Sequence, residues 1–89
     1  MIKTFRNKAL ADLWEGRSSR IQPKMQDRIM VRLKALDAAK HPRDMAVPGW
    51  KYHPLWPTER HAVNVNGPWR LTWEWQDGHA ILVDFEQYH

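Results

Sequence analysis

Eighty-nine residues carrying a formal charge of +4 and no cysteine predict one small domain, residues 1–89, and exclude both a disulfide framework and thiolate zinc sites. Six tryptophans make a core feasible, since each ring buries about 150–250 Å², although a chain this short hides only about 60% of its unfolded surface. A pI of about 9.8 draws the chain toward polyanions: nucleic acid, the ribosome, an acidic protein or an anionic membrane surface. The opening Met1-Ile2-Lys3-Thr4-Phe5-Arg6 lacks the apolar run of a signal peptide. No stretch is long and apolar enough for a membrane helix, so the expected location is cytoplasmic, with no membrane partner.

Ile2 to Phe5 alternates apolar and polar residues, as a short opening strand does. From Asn7 to Glu15, the residues Ala9, Leu10, Leu13 and Trp14 recur at helical spacing, and Gly16 stands where a left-handed residue often ends a helix. Arg17 to Ile21 is a polar connector, and Pro23 suits the first turn of a second helix. Met25, Ile29, Leu33 and Leu36 form the buried stripe of that helix. Lys24, Arg28 and Arg32 recur every four residues on a neighbouring face, and Pro42 is expected to close it. Arg43 to Gly49 reads as a loop with a turn at Pro48-Gly49. Everything beyond reads as β-structure. Trp50 to His53 is a short strand broken by Pro54-Leu55-Trp56-Pro57. His61 to Val65 alternates, Asn66-Gly67 signals a hairpin, Trp69 to Trp75 follows, and a turn at Asp77-Gly78 leads into His79 to Phe85. The order β-α-α-β-β-β-β, with helices segregated from an antiparallel sheet, predicts an α+β fold.

Strand residues two apart share a face. Trp69, Leu71, Trp73 and Trp75 should therefore pack against the helices, as should Ile81, Val83 and Phe85. The opposite face then gathers Arg70, Thr72, Glu74, Asp84, Glu86 and Tyr88, and Lys51 shares a side with His53. One wet face is ordinary for an antiparallel sheet, but a mixture of His, Arg, Lys and Tyr can handle protons and phosphate charge. The histidines follow neither HExxH nor Cys/His zinc spacing, and the sequence holds no Gly-rich phosphate loop and no nucleophile elbow, so neither metal nor cofactor is expected. The stripe Lys24, Arg28, Arg32 reads either as a solvated helix face or as a grip on a phosphate backbone.

His53-Pro54-Leu55, the run Pro68-Trp69-Arg70-Leu71-Thr72-Trp73 and the closing Gln87-Tyr88-His89 together resemble the HigB branch of the RelE/ParE toxins. The opening Met1 to Phe5 and the stretch Leu33 to Ala39 resemble it too, so the likeness spans essentially the whole chain. It implies two helices packed on one face of a small, twisted antiparallel sheet. It further implies binding in the ribosomal A site, metal-free cleavage of messenger RNA there, and a HigA-like helix-turn-helix antitoxin that binds the toxin and represses the operon. DNA would then be met only indirectly, through the antitoxin complex.

In the implied reaction the ribose 2′-hydroxyl loses its proton and attacks the adjacent phosphate, while the 5′-oxygen leaves with a proton. That chemistry needs a base, an acid and a cation. By the resemblance, His53 and His89 are the candidate acid and base, with the assignment between them open. Tyr88 stacks on a base or positions a hydroxyl, and Arg70 holds the scissile phosphate through two parallel hydrogen bonds. Arg60 lies near a loop arginine of the family, in a shorter loop. It joins Lys24, Arg28, Arg32, Lys51 and Trp56 as an expected RNA or ribosome contact. Two residues depart from the pattern. Gln87 stands where the family tail has aspartate and cannot accept a proton. Trp56 replaces a frequent lysine after His-Pro-Leu; it removes a cation but offers a ring on which a base can stack, worth about 1–3 kcal/mol.

Two other classes compete. One is a non-catalytic inhibitory module, like the ParE-type members of the superfamily that bind DNA gyrase; His53, Arg70 and the Tyr88-His89 tail favour the nuclease. The other is a housekeeping RNA-binding protein, which an adjacent antitoxin gene would disfavour.

Overall fold

Asn7 starts the first helix because its side-chain carbonyl accepts the Leu10 amide at 3.1 Å, satisfying one donor that the helix leaves open. In the computed structural model, which describes residues 1–87, this helix, α1, runs Lys8–Trp14. Helix α2 runs Pro23–Ala38; a proline in the first turn lacks only an amide that would have no partner there. Met25, Ile29, Leu33 and Leu36 are all buried, as the spacing predicts. The helix stops before Pro42, however. Ala39 turns extended, and Pro42 instead opens a short 3-10 helix, Pro42–Met45, inside the segment expected to be a loop. His41 and Asp44 cap it reciprocally: His41 Nδ1 accepts the Arg43 amide, and the Asp44 carboxylate accepts the His41 amide, each at 3.1 Å.

Four strands follow: β1 (His53–Pro54), β2 (Arg60–Asn66), β3 (Trp69–Gln76) and β4 (His79–Gln87). They form an antiparallel meander in the order β1-β2-β3-β4, with both helices against one face, giving the α+β fold expected. Two hairpins set the register. Asp77 (φ 51°) and Gly78 (φ 80°) are both left-handed, as a type I′ turn requires. At Gly67-Pro68 the glycine is left-handed (φ 55°) and proline cannot be, so of the two primed turns only II′ fits.

Three strand expectations need correction. Trp50 to His53 does not form a strand: Lys51 adopts φ 52°, and the ladder contains His53 and Pro54 alone. Pro54 is tolerated because β1 is an edge. The opening segment is not a continuous strand either. It touches β4 through isolated parallel bridges, Ile2 to Ala80 and Phe5 to Val83, covering an edge that would otherwise stay open. Finally, Ile81 does not share the core face with Val83 and Phe85. Thr72 pairs with Asp84 but Glu74 pairs with Ile81, so β4 carries one extra residue, and Leu82 sits at φ 51°. This bulge flips the alternation, and Ala80, fully buried, takes the core position instead. Among the described residues, no helix is long and apolar enough to cross a membrane.

Candidate active site

Cross-strand partners point to the same side of a sheet, so the register arranges the face away from the helices in rows. One row is His53, Ala62, Thr72 and Asp84; the next, toward the Gly67-Pro68 hairpin, is Asn64, Arg70 and Glu86. His53 and Arg70 therefore share this face as expected. They stand two strands and one row apart, roughly 12 Å between Cα atoms from the usual strand spacing and rise. The Asn64 amide donates to the Trp50 carbonyl at 2.6 Å, which sets exposed Lys51 level with this second row. Tyr88 and His89 lie outside the described residues; the last described strand residue, Gln87, pairs with Trp69, next to Arg70.

His53 is exposed, and its Nδ1 lies 2.9 Å from the Lys51 carbonyl. A carbonyl only accepts, so Nδ1 carries the proton and Nε2 is left as the atom that can exchange one. Arg70 uses a single nitrogen to hold itself in place. Nη1 donates to Asn64 Oδ1, to the Gly67 carbonyl at 2.7 Å and to the Trp69 carbonyl at 3.1 Å. Among the described residues, Nε and Nη2 make no hydrogen bond, so the guanidinium edge suited to a phosphate is unoccupied.

Two of the expected RNA contacts are placed elsewhere. Arg32 is only 7% exposed. Its Nε donates to the Asn64 carbonyl at 2.7 Å, and its guanidinium stacks 4.7 Å over the Trp50 ring. It clamps the segment that carries Lys51 and His53 rather than joining a solvated stripe with Lys24 and Arg28, which are exposed. Arg60 is not in a loop. It opens β2 at 9% exposure, and its guanidinium crosses the sheet. Nη2 donates to Thr72 Oγ1 and to the Leu82 carbonyl, each at 2.8 Å, and Nη1 donates to Glu74 at 3.3 Å. The Glu86 carboxylate lies 3.9 Å from Nε. Thr72, 0% exposed on the nominally wet face, is sealed beneath this strap. By contrast Trp56 is 88% exposed in the loop just past His53.

Asn64 and Glu86 complete the row around Arg70. Their positions on the polar parity of β2 and β4 were visible in the sequence, but which arginine each would serve was not. On the other side of the sheet, the Tyr52 hydroxyl lies 2.9 Å from His61 Nδ1, and both rings pack on Trp73 at 5.9–6.4 Å between centroids. Burial pushes the His61 imidazole below its ordinary value, with Glu59 pulling it up and His41 down. A depressed histidine favours the fold fully above the unfolded value near 6.5 and loses that contribution as pH falls toward the folded value. Stability is therefore expected to decline as pH falls below about 6.5. A His61→Phe variant, compared by urea midpoints across pH, should show a shallower decline; an unchanged slope would assign the decline to other groups.

Residues 3–89 match the family described as the RelE-like toxin of type II toxin-antitoxin system HigB. The chain is also 34% identical, over 92 aligned residues covering 100% of both chains, to the endoribonuclease HigB of Proteus vulgaris.

Proposed function

Because the chain belongs to the HigB family of RelE-like toxins of type II toxin–antitoxin systems, we propose that this toxin is an endoribonuclease that stops translation by cutting messenger RNA in the ribosomal A site. The observation that carries the reading is the shared face of His53 and Arg70, with the guanidinium edge of Arg70 held open beside a hairpin. Arg70 grips the scissile phosphate and counters the charge that builds on it. His53, through Nε2, and His89 serve proton transfer, and Tyr88 stacks on a base or positions a hydroxyl. Lys51 is level with Arg70 and adds positive charge on the phosphate path. Trp56, almost fully exposed, offers a ring to an unstacked base. Lys24 and Arg28 on α2 supply a second, more distant cationic patch suited to the ribosome. The toxin's partner is a cognate antitoxin, which we take to be a HigA-like helix-turn-helix protein.

Induced expression in a bacterium, with primer extension on a reporter messenger RNA, tests this reading. Cuts in phase with codons that vanish when translation initiation is blocked are the expected result. Growth arrest with intact messenger RNA would reject the nuclease and direct attention to gyrase or another bound target.

A further inference from the structure

We infer that Glu86 is a catalytic residue of this site, the general base that takes the proton from the attacking 2′-hydroxyl. The inference rests on the nuclease reading above. Glu86 is the cross-strand partner of Arg70, and opposite charges in that position ordinarily pair. Among the described residues these two form no ion pair, because each is anchored elsewhere. Arg70 is drawn toward the hairpin by Asn64 and the Gly67 and Trp69 carbonyls. Glu86 is drawn the other way: its Oε2 accepts from the Thr72 hydroxyl and lies 3.9 Å from Arg60 Nε. Thr72 is itself fixed, since its oxygen accepts from Arg60 Nη2 at 2.8 Å.

The chain Arg60, Thr72, Glu86 thus locks one carboxylate oxygen. The other, Oε1, makes no hydrogen bond among the described residues, and the side chain stays 32% exposed. A fixed carboxylate with one free oxygen, on the residue directly across the ladder from an unoccupied guanidinium edge, has the parts for proton abstraction beside a held phosphate. The sheet order adds a directional argument. Displacement at phosphorus proceeds in line, with attacking and leaving oxygens on opposite sides. The order β1-β2-β3-β4 puts Glu86 on one side of Arg70 and His53 on the other. Glu86 takes the 2′-hydroxyl proton as the 2′-oxygen bonds to phosphorus. The bond from phosphorus to the 5′-oxygen breaks, and imidazolium Nε2 of His53 returns a proton to that oxygen. A cyclic 2′,3′-phosphate and a 5′-hydroxyl result, and no other reactant is needed.

The test is single-turnover cleavage of a programmed messenger RNA on ribosomes by the full-length toxin and its variants. Wild type must cut; if it does not, the nuclease reading itself fails. Glu86→Gln keeps the shape and the acceptor for Thr72 but cannot take a proton. It is expected to lower the cleavage rate by about 10²–10⁴-fold with binding unchanged. Glu86→Ala should recover activity on addition of formate, which a merely structural role would not allow. Asp84→Asn, one row away on the same strand, should cut at the wild-type rate. A wild-type rate for Glu86→Gln would overturn the assignment, as would a Glu86→Ala variant that folds and cannot be rescued. If Glu86→Gln melts early, the formate response of Glu86→Ala decides alone.

Discussion

Arg70→Ala is expected to abolish growth arrest and to reduce messenger RNA cleavage by about 10²–10³-fold or more, the usual effect of removing one preorganised donor from a developing charge. The structure says why this residue should matter more than its neighbours. A long, flexible side chain is held by one nitrogen on three acceptors, two of them main-chain carbonyls of the hairpin, so its entropy is already lost before substrate arrives. Arg70→Lys should recover little, because an ammonium is a single point and cannot offer two parallel donors to a phosphate. The fold should tolerate both changes. Arg70 is only partly buried, and the turn it braces is already specified by Gly67 and Pro68. Primer extension on induced cultures gives the activity, and thermal melting of each variant gives the control. An Arg70→Ala variant that still arrests growth, with unchanged cleavage, would remove Arg70 from the site.

How much of this was legible in the sequence follows physical lines. The stripe Met25, Ile29, Leu33, Leu36 was plain because helix periodicity survives whatever the helix packs on. The Asp77-Gly78 turn was plain because few residues accept positive φ. The face shared by His53 and Arg70 followed from alternation, which holds while register is regular. Alternation failed at Ile81, where the extra residue is Leu82, a side chain that carries no hint of a left-handed backbone. Pro42 misled because proline opens helical turns as readily as it ends them. The charges failed differently. Arg32 and Arg60 read as RNA or ribosome contacts, and their burial depends on partners far along the chain: Trp50 and Asn64 for one, Glu74, Leu82 and Glu86 for the other. No local window contains that information.

Arg60 carries the second large prediction, and it separates the expected RNA contact from the observed strap. Arg60→Met keeps the aliphatic stem but removes every donor, leaving Glu86 without its nearby cation, Glu74 with only Arg6 at 3.9 Å, and Thr72 Oγ1 and the Leu82 carbonyl without the guanidinium donor. Losing one member of a fully buried ion pair costs about 3–5 kcal/mol. The acids here are 27% and 32% exposed, so water recovers part of that, and about 2–3 kcal/mol is expected. For a domain of this size each kcal/mol moves Tm by about 4–8 °C, so the melt should fall by about 10–20 °C. Arg60→Lys should fall nearly as far, since one ammonium cannot reach Thr72, Leu82 and Glu74 together. In a double-mutant cycle, Arg60→Met with Glu74→Gln should cost less than the sum of the two singles, because the second change removes a charge that the first has already stranded. If Arg60 instead served RNA, its loss would weaken cleavage while leaving Tm and the cycle unchanged. Its buried guanidinium, committed to β2, β3 and β4 at once, argues for the opposite order: stability falls first, and cleavage follows because Glu86 and Thr72 lose the group that holds them.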